Sequence, residues 1–372
     1  MTESVLFSEL SATNGKKVGV ATLNMERKLN SLNSEMVSAL TDQLKLWEKD
    51  NNVAAVWLQG AGEKAFCAGG DVRTLCETIT DVGAKKALPD VQAFFENEYR
   101  LDYLIHVYAK PIIVWGHGII MGGGIGLMSG ASHRVVTETS RMAMPEISIG
   151  LYPDVGGTWF LNHAPGRTGL FLGLTGANIN AADALFVGMA DRYIASDSKE
   201  ALMQSLQEQS WSESEADNQV LVSRVLKSYE NLETLPVSNV REHYDLIQAV
   251  TDGADLVEIA DQFNALDTEN KWLNKAAATF RSGSPTTAHL VYQQLLRGKK
   301  LSLPQVFQME LVMSLQCALH ADFVEGVRAL LVDKDGNPKW QFDAIADVPA
   351  KWVEQHFQPP WDAPNPLLNL GS

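Results

Sequence analysis

The apolar run from Ile112 to Trp115 leads within a few residues into three consecutive glycines, Gly122, Gly123 and Gly124, and then Gly126. Glycine weakens regular structure by roughly 0.5–1 kcal/mol relative to alanine, so such a cluster beside a buried strand needs a reason. One reason is a tight turn. Another is close approach of a ligand to bare backbone N–H groups where a helix starts. A second stretch has the same design: the apolar run Val53 to Gln59 precedes "GAGEKAFCAGGD", which holds Gly69 and Gly70. In a parallel-type sheet the carboxyl ends of the strands share one side. Two glycine loops there are expected to aim one N–H each at a common point, the geometry of an oxyanion hole. Either loop alone reads as an ordinary turn. The spacing is not G-x-G-x-x-G and lies far from the first strand, which argues against dinucleotide binding.

Around these loops the pattern is strand–helix–strand. Lys17 to Asn24 reads as a strand. Asn33 is a plausible N-cap for a helix whose Met36, Leu40, Leu44 and Trp47 recur at helical spacing. A further helix is expected from about Pro89 to Ile105, and further strands at His133 to Glu138 and in "RMAMPE". Connections of this length predict an α/β fold. From about Lys199 the segments "EALMQSLQEQ", "ADLVEIADQFNAL" and "PQVFQMELVMSLQCALH" are all helix-like. A chain of 372 residues is long for one core. Residues 1–195 are therefore expected to form the α/β core and 196–372 a mainly helical extension.

Charge and cysteine content narrow the function. The formal net charge is -15, which argues against non-specific nucleic-acid binding, so an anionic ligand must be held by local donors. The cysteines, Cys67, Cys76 and Cys317, are odd in number and lack metal-type spacing, which fits a reducing compartment. "MTESVLFSEL" has no signal-peptide pattern and no apolar run reaches membrane-spanning length. The expectation is a soluble, cytoplasmic protein with no membrane or nucleic-acid partner. His106, His117 and His133 form no metal pattern, and Cys67 reads as a small apolar filler.

Taken together, "FCAGGD" and "HGIIMGGGIGL" resemble the crotonase, or enoyl-CoA hydratase/isomerase, superfamily over about residues 15–195, and "DFVEGVRALLVDKDGNPKW" resembles its carboxy-terminal motif. The resemblance implies a ClpP/crotonase-like spiral of ββα units with a helical C-terminal extension. It implies a small-molecule acyl-CoA partner whose thioester oxygen is held by the N–H groups of Ala68 and Gly123. It implies no metal and no separate cofactor, because coenzyme A belongs to the substrate. Where many relatives have Arg-Pro near CoA, this sequence has Met25-Glu26, followed by Arg27 and Lys28; those two could meet CoA phosphates, but an exposed basic pair is usually solvated surface. Trp340 is expected to anchor the C-terminal segment. The C-terminal helices are expected either to build a homo-oligomer or to fold back over the site.

Carboxylates choose the chemistry. Hydratases of this superfamily carry a glutamate two residues after the triple glycine, and here that position is Gly126. The later Pro-Glu is present as Pro145-Glu146. Asp154 follows eight residues on; alone it reads as a cap for a helix starting near Thr158. Glu98 falls on an apolar helix face with Val91, Phe94, Phe95, Leu101 and Ile105. It therefore needs a partner, such as Arg100 or Arg73, or a raised pKa. All three acids, in "FFENEY", "MPEISIG" and "PDVGG", resemble the 3-hydroxyisobutyryl-CoA hydrolase branch. Its substrate contacts map to Glu98, Gly123, Glu146 and Asp154. The branch implies thioester hydrolysis in valine degradation, within branched-chain amino acid catabolism. Glu146 would be base or nucleophile, Asp154 would assist proton transfer or position the water, and Glu98 would hydrogen-bond the 3-hydroxyl or shape the acyl pocket. The alternatives are an enoyl-CoA hydratase/isomerase using Glu98, and a non-catalytic acyl-CoA-binding protein.

Overall fold

In the computed structural model, residues 3–371 are described, and the chain divides into two compact units. The first comprises the chain to Gly70, Leu101–Met142 and Ile179–Ser238. The second comprises Asp71–Arg100, Ala143–Asn178 and the chain from Asn239. The division therefore does not fall at residue 195, where the helical character begins in the sequence.

The first unit is built on a six-stranded sheet of β1 (Val5–Ser11), β2 (Lys17–Leu23), β3 (Val53–Gly60), β5 (Ile112–Gly116), β7 (His133–Val136) and β9 (Arg192–Tyr193), in that order. β1 pairs antiparallel with β2, and the remaining neighbours are parallel. A three-stranded sheet orders β4 (Ala65–Cys67), β6 (Ile119–Met121) and β8 (Arg141–Ala143). Every residue of β5 is buried and all of β3 but Gln59, as expected for strands covered on both faces. β1 has no counterpart in the sequence reading, because its half-exposed edge mixes polar and apolar residues without a clear period.

The helix α1 (Ser34–Lys49) starts as expected: the Asn33 side chain accepts from Met36 N–H at 2.9 Å. It buries Met36, Leu40, Leu44 and Trp47, and the Trp47 ring lies where a Cβ on Gly19 would sit, 2.7 Å from its Cδ2. One core cluster stacks Trp57 on Trp115, with centroids 5.6 Å apart, and continues through Leu202, Leu206, Trp211, Val222 and Leu226. The helices Lys199–Gln207 and Glu215–Ser228 thus cover the sheet rather than extend from it. The physical reason is that the parallel strands are apolar on both faces and need a helical layer on each.

The second unit takes α2 (Val72–Val82) and, as far as Arg100, the helix α3 (Ala84–Val107). α3 begins five residues before Pro89. A proline near the start removes only an early helical hydrogen bond, so the helix tolerates it. Downstream helices pack through Phe171, Phe263 and Phe280, the last two with centroids 4.5 Å apart. Among the described residues no helix is long and apolar enough to cross a membrane.

The opening glycines find their reason in the first unit. Gly122 has φ +46° and is the N-cap of α4 (Gly123–Ser129), a conformation side chains rarely adopt. A Cβ on Gly124 would lie 2.3 Å from the Cys67 carbonyl oxygen. Gly124→Ala is therefore expected to destabilise the fold by about 1–3 kcal/mol, the usual cost of overpacking a rigid contact. Urea unfolding measures this, and a wild-type midpoint would show that the two loops are not in backbone contact.

Candidate active site

The first unit supplies candidate N–H donors. β4 and β6 run parallel, so the loop after Cys67 and the loop after Met121 leave the sheet on one side. Gly69 (φ +107°) lets the first loop pass close to the second: its added Cβ would lie 3.4 Å from the Met121 carbonyl oxygen. Gly123 opens α4, and its N–H has no acceptor among the described residues. Ala68 differs from expectation. Its N–H already donates to the Leu29 carbonyl at 3.0 Å, so it does not stand open to a ligand. In the same loop the N–H groups of Gly69 and Gly70 take no acceptor among the described residues.

The clamp that occupies Ala68 was not legible in sequence. Buried Asn30 donates to the carbonyls of Ala61 at 3.0 Å and Ala65 at 2.9 Å, and accepts from Met25 N–H at 2.9 Å. Leu29 and Asn30 both have positive φ, which turns the Leu29 carbonyl toward the glycine loop. Arg27 and Lys28, in a single 3-10 turn before this bend, are exposed. His117 is held by the Gly62 carbonyl at 2.8 Å and His133 by Ser223 at 2.8 Å, so both serve the scaffold.

The second unit holds the carboxylates. Glu98, Glu146 and Asp154 are all buried. Neither arginine proposed for Glu98 pairs with it: Arg73 bonds Glu77 and Arg100 bonds Glu96, each at 3.0 Å. Glu98 Oε1 and Glu146 Oε2 are buried without hydrogen-bond partners. Desolvation is the largest influence on each acid. It pushes the Glu98 carboxyl up to about 8, with the Asp154 charge adding to the rise. It lifts Glu146 well above the carboxylate range, again reinforced by Asp154. Asp154 rises only to about 6, because the Tyr99 hydroxyl donates to its Oδ2 at 2.7 Å and opposes the desolvation. Near neutral pH the group therefore favours a single negative charge, held on Asp154.

Each acid has a distinct support. Glu146 opens a 3-10 turn, Glu146–Ile149, pressed against the C-terminal motif. A Cβ on Gly150 would lie 2.2 Å from the Asp322 carbonyl oxygen, and one on Gly326 would lie 2.4 Å from the Ile149 carbonyl carbon. Asp322 itself accepts from Ser284 and from Gln341 N–H, both at 2.7 Å. Trp340 donates to the Ser282 carbonyl at 2.9 Å, the anchoring expected of it. Asp154 does not cap the helix α5 (Gly157–His163) with its side chain. Glu310 does that work from a distant helix, accepting from Gly156 N–H at 2.8 Å and Thr158 N–H at 2.9 Å. The clamp holds Val155 at φ +53°, a conformation that strains a β-branched residue. A glutamate inside the apolar run "VFQMELVMSL" was the available signal for Glu310, and it went unread.

Burial of Glu98 has a stability consequence with a definite sign. A carboxyl whose pKa is higher folded than unfolded favours the fold below its ordinary value and loses that contribution as pH rises through the folded value. For Glu98 the window runs from 4.5 to about 8. Glu98→Gln cannot ionise. Its melting temperature relative to wild type is expected to climb steadily from pH 4.5 to 8. A difference independent of pH would show that Glu98 is not desolvated.

The enoyl-CoA hydratase/isomerase family model matches residues 18–357. The chain is 38% identical, over 92% of its length and 87% of the relative's, to a zebrafish (Danio rerio) protein named mitochondrial 3-hydroxyisobutyryl-CoA hydrolase. It is 34% identical to the human protein of the same name, over 96% and 89% of the two chains. A crystal structure titled an enoyl-CoA hydratase from Rhodobacter sphaeroides superposes with a TM-score of 0.84 at 32% identity, covering 96% of this chain and 98% of that one.

Proposed function

The chain belongs to the enoyl-CoA hydratase/isomerase family, and from that premise we propose that it hydrolyses 3-hydroxyisobutyryl-CoA to 3-hydroxyisobutyrate and coenzyme A. The observation that carries this reading is the trio Glu98, Glu146 and Asp154, buried and, among the described residues, with no arginine or lysine paired to any of them. The hydratase position two residues past the glycines is Gly126, which offers no acid for adding water to a double bond. The names of the relatives agree with hydrolysis.

In the proposed reaction the thioester oxygen accepts from Gly123 N–H and from an N–H of the Gly69–Gly70 turn, which replaces Ala68 because the Ala68 N–H is occupied. Glu146 gives its proton to Asp154 and, now ionised, takes a proton from water. The hydroxide forms the bond to the carbonyl carbon. The tetrahedral intermediate then breaks its C–S bond, and Asp154 passes its proton to the departing thiolate. Glu146 is left protonated and Asp154 ionised, as at the start, so the protons balance over the cycle. Direct attack by ionised Glu146, giving a mixed anhydride, uses the same residues. Glu98 faces the substrate's 3-hydroxyl. Coenzyme A arrives with the substrate, so the reaction needs no cofactor. The proposed setting is valine degradation. A cytoplasmic location rests on the three buried cysteines, none of them in a disulfide among the described residues, whereas the relatives are named mitochondrial.

Purified protein is expected to release thiol from 3-hydroxyisobutyryl-CoA, read with a disulfide reagent, and to hydrate crotonyl-CoA little, read as loss of enoyl absorbance. Rapid hydration without thiol release from any 3-hydroxyacyl-CoA would overturn the assignment in favour of a hydratase. Glu146→Gln should lose about 10²–10⁴-fold in turnover, the range for a general base. Gly123→Val should lose about 10²–10³-fold, the effect of removing one oxyanion donor. Wild-type turnover by either variant would remove that residue from the mechanism.

A further inference from the structure

Behind Asp154, in the second unit, lies a file of hydroxyl groups that the reaction above does not use. Asp154 Oδ2 is 2.7 Å from the Tyr99 hydroxyl, which is 2.7 Å from Ser314 Oγ. Ser314 Oγ is 2.8 Å from the Tyr152 hydroxyl, which in turn donates to the backbone carbonyl of Glu310. Tyr99, Tyr152 and Ser314 are all fully buried. The file thus has four contacts, a carboxyl at one end and an acceptor-only carbonyl at the other.

Counting protons shows what this arrangement does. Each hydroxyl owns one proton and can also accept. If Asp154 is protonated, four protons serve four contacts, all pointing the same way: Asp154 to Tyr99, Tyr99 to Ser314, Ser314 to Tyr152, Tyr152 to the Glu310 carbonyl. If Asp154 is ionised, Tyr99 turns to donate to it and Ser314 turns to donate to Tyr99. Three protons then serve four contacts, and one oxygen pair at the Tyr152 end faces without a proton. We infer that Tyr99, Ser314 and Tyr152 are positioning residues forming a hydroxyl file of reversible polarity, which gives Asp154 a hydrogen-bond partner both with and without its proton. The inference rests on the hydrolase reading, in which Asp154 must gain a proton from Glu146 and later give it to the thiolate. No proton leaves the file; its hydroxyls only rotate as the carboxyl changes state.

Other groups act on Asp154 as well. Those whose charges interact with it are Glu98 and Tyr99 on α3, Glu146 on its 3-10 turn, Tyr152, and Glu310 and Cys317 on the helix Leu303–Leu319. None of these is a cation, so the hydroxyl file is the one feature among them that answers to the proton on Asp154 by turning.

The inference makes a prediction of sign. Tyr99→Phe removes the donor to the carboxylate and should raise the Asp154 titration midpoint. Ser314→Ala keeps that donor but leaves the outward-turned Tyr99 proton without an acceptor, penalising protonated Asp154. The midpoint should therefore fall, by roughly half to one pH unit for a hydrogen bond of ordinary worth. Tyr152→Phe, two hydroxyls away, should lower it too, because Ser314 loses its outward acceptor. If Ser314 were merely a fixed donor to Tyr99, its loss would raise the midpoint or leave it unchanged. The midpoint is read by infrared titration of the carboxyl band, assigned with Asp154→Asn, and independently from the acid limb of the kcat/KM profile. An upward or absent shift in both Ser314→Ala and Tyr152→Phe overturns the inference. The infrared readout needs no turnover. A wild-type protein that releases no thiol while Ser314→Ala shifts as stated would sink the hydrolase reading and keep the file. Thiol release with no downward shift would do the reverse.

Discussion

Desolvation of three carboxyls without a compensating cation is the constraint around which the second unit is organised. A lone buried carboxylate is costly, and groups placed so usually neutralise rather than remain charged. Here Glu98 and Glu146 take that course, each with one oxygen left without a partner. Asp154 is spared chiefly by one hydroxyl, that of Tyr99, with a backbone N–H adding to the effect. Hydrogen bonding thus decides where the one affordable negative charge sits. Acids whose environments separate their proton affinities in this way are suited to opposite roles in one reaction.

Such a group of acids depends on rigid support, because each carboxyl has given up its hydration. The backbone does the holding. The Glu146 turn is packed so closely on the C-terminal motif that Gly150 and Gly326 leave no room for a Cβ. The Asp154 turn carries a strained Val155, secured by two N–H groups donated to Glu310. Glu310 is itself raised to about 8 by burial, although those two N–H groups favour its charged form. The C-terminal residues therefore matter to the acids through packing and capping rather than by adding a further catalytic group.

In the first unit the same logic applies to donors instead of acceptors. Gly122 and Gly69 supply backbone conformations that other residues avoid, and Gly124 allows contact with the Cys67 carbonyl. Asn30 binds the neighbouring bend to Ala61 and Ala65. That bend commits the Ala68 N–H to Leu29, and the N–H groups of Gly69, Gly70 and Gly123 take no acceptor among the described residues. The glycine cluster is both a tight turn and a place of open N–H groups, so the two readings of the opening motif are compatible.

Much of this was legible in the residues themselves. The largely apolar β3 and β5, the Asn33 cap, the glycine loops and the three acids all follow from local pattern, because periodicity, capping and backbone freedom act over a few neighbours. The family resemblance adds the crotonase-type fold, matched at a TM-score of 0.84. What the sequence could not decide depends on partners far along the chain. Ser314 lies 215 residues from Tyr99, and Glu310 lies 154 from Gly156. The Ala68 N–H was assigned to a ligand because nothing nearby in sequence shows that Leu29 takes it. The helices Lys199–Gln207 and Glu215–Ser228 looked like an appendage because only the folded sheet reveals an uncovered apolar face. Residue type and spacing determined which groups could do chemistry. Tertiary contacts decided which N–H groups stay open and which acid keeps its charge, because both depend on burial and on hydrogen-bond partners that only folding brings near.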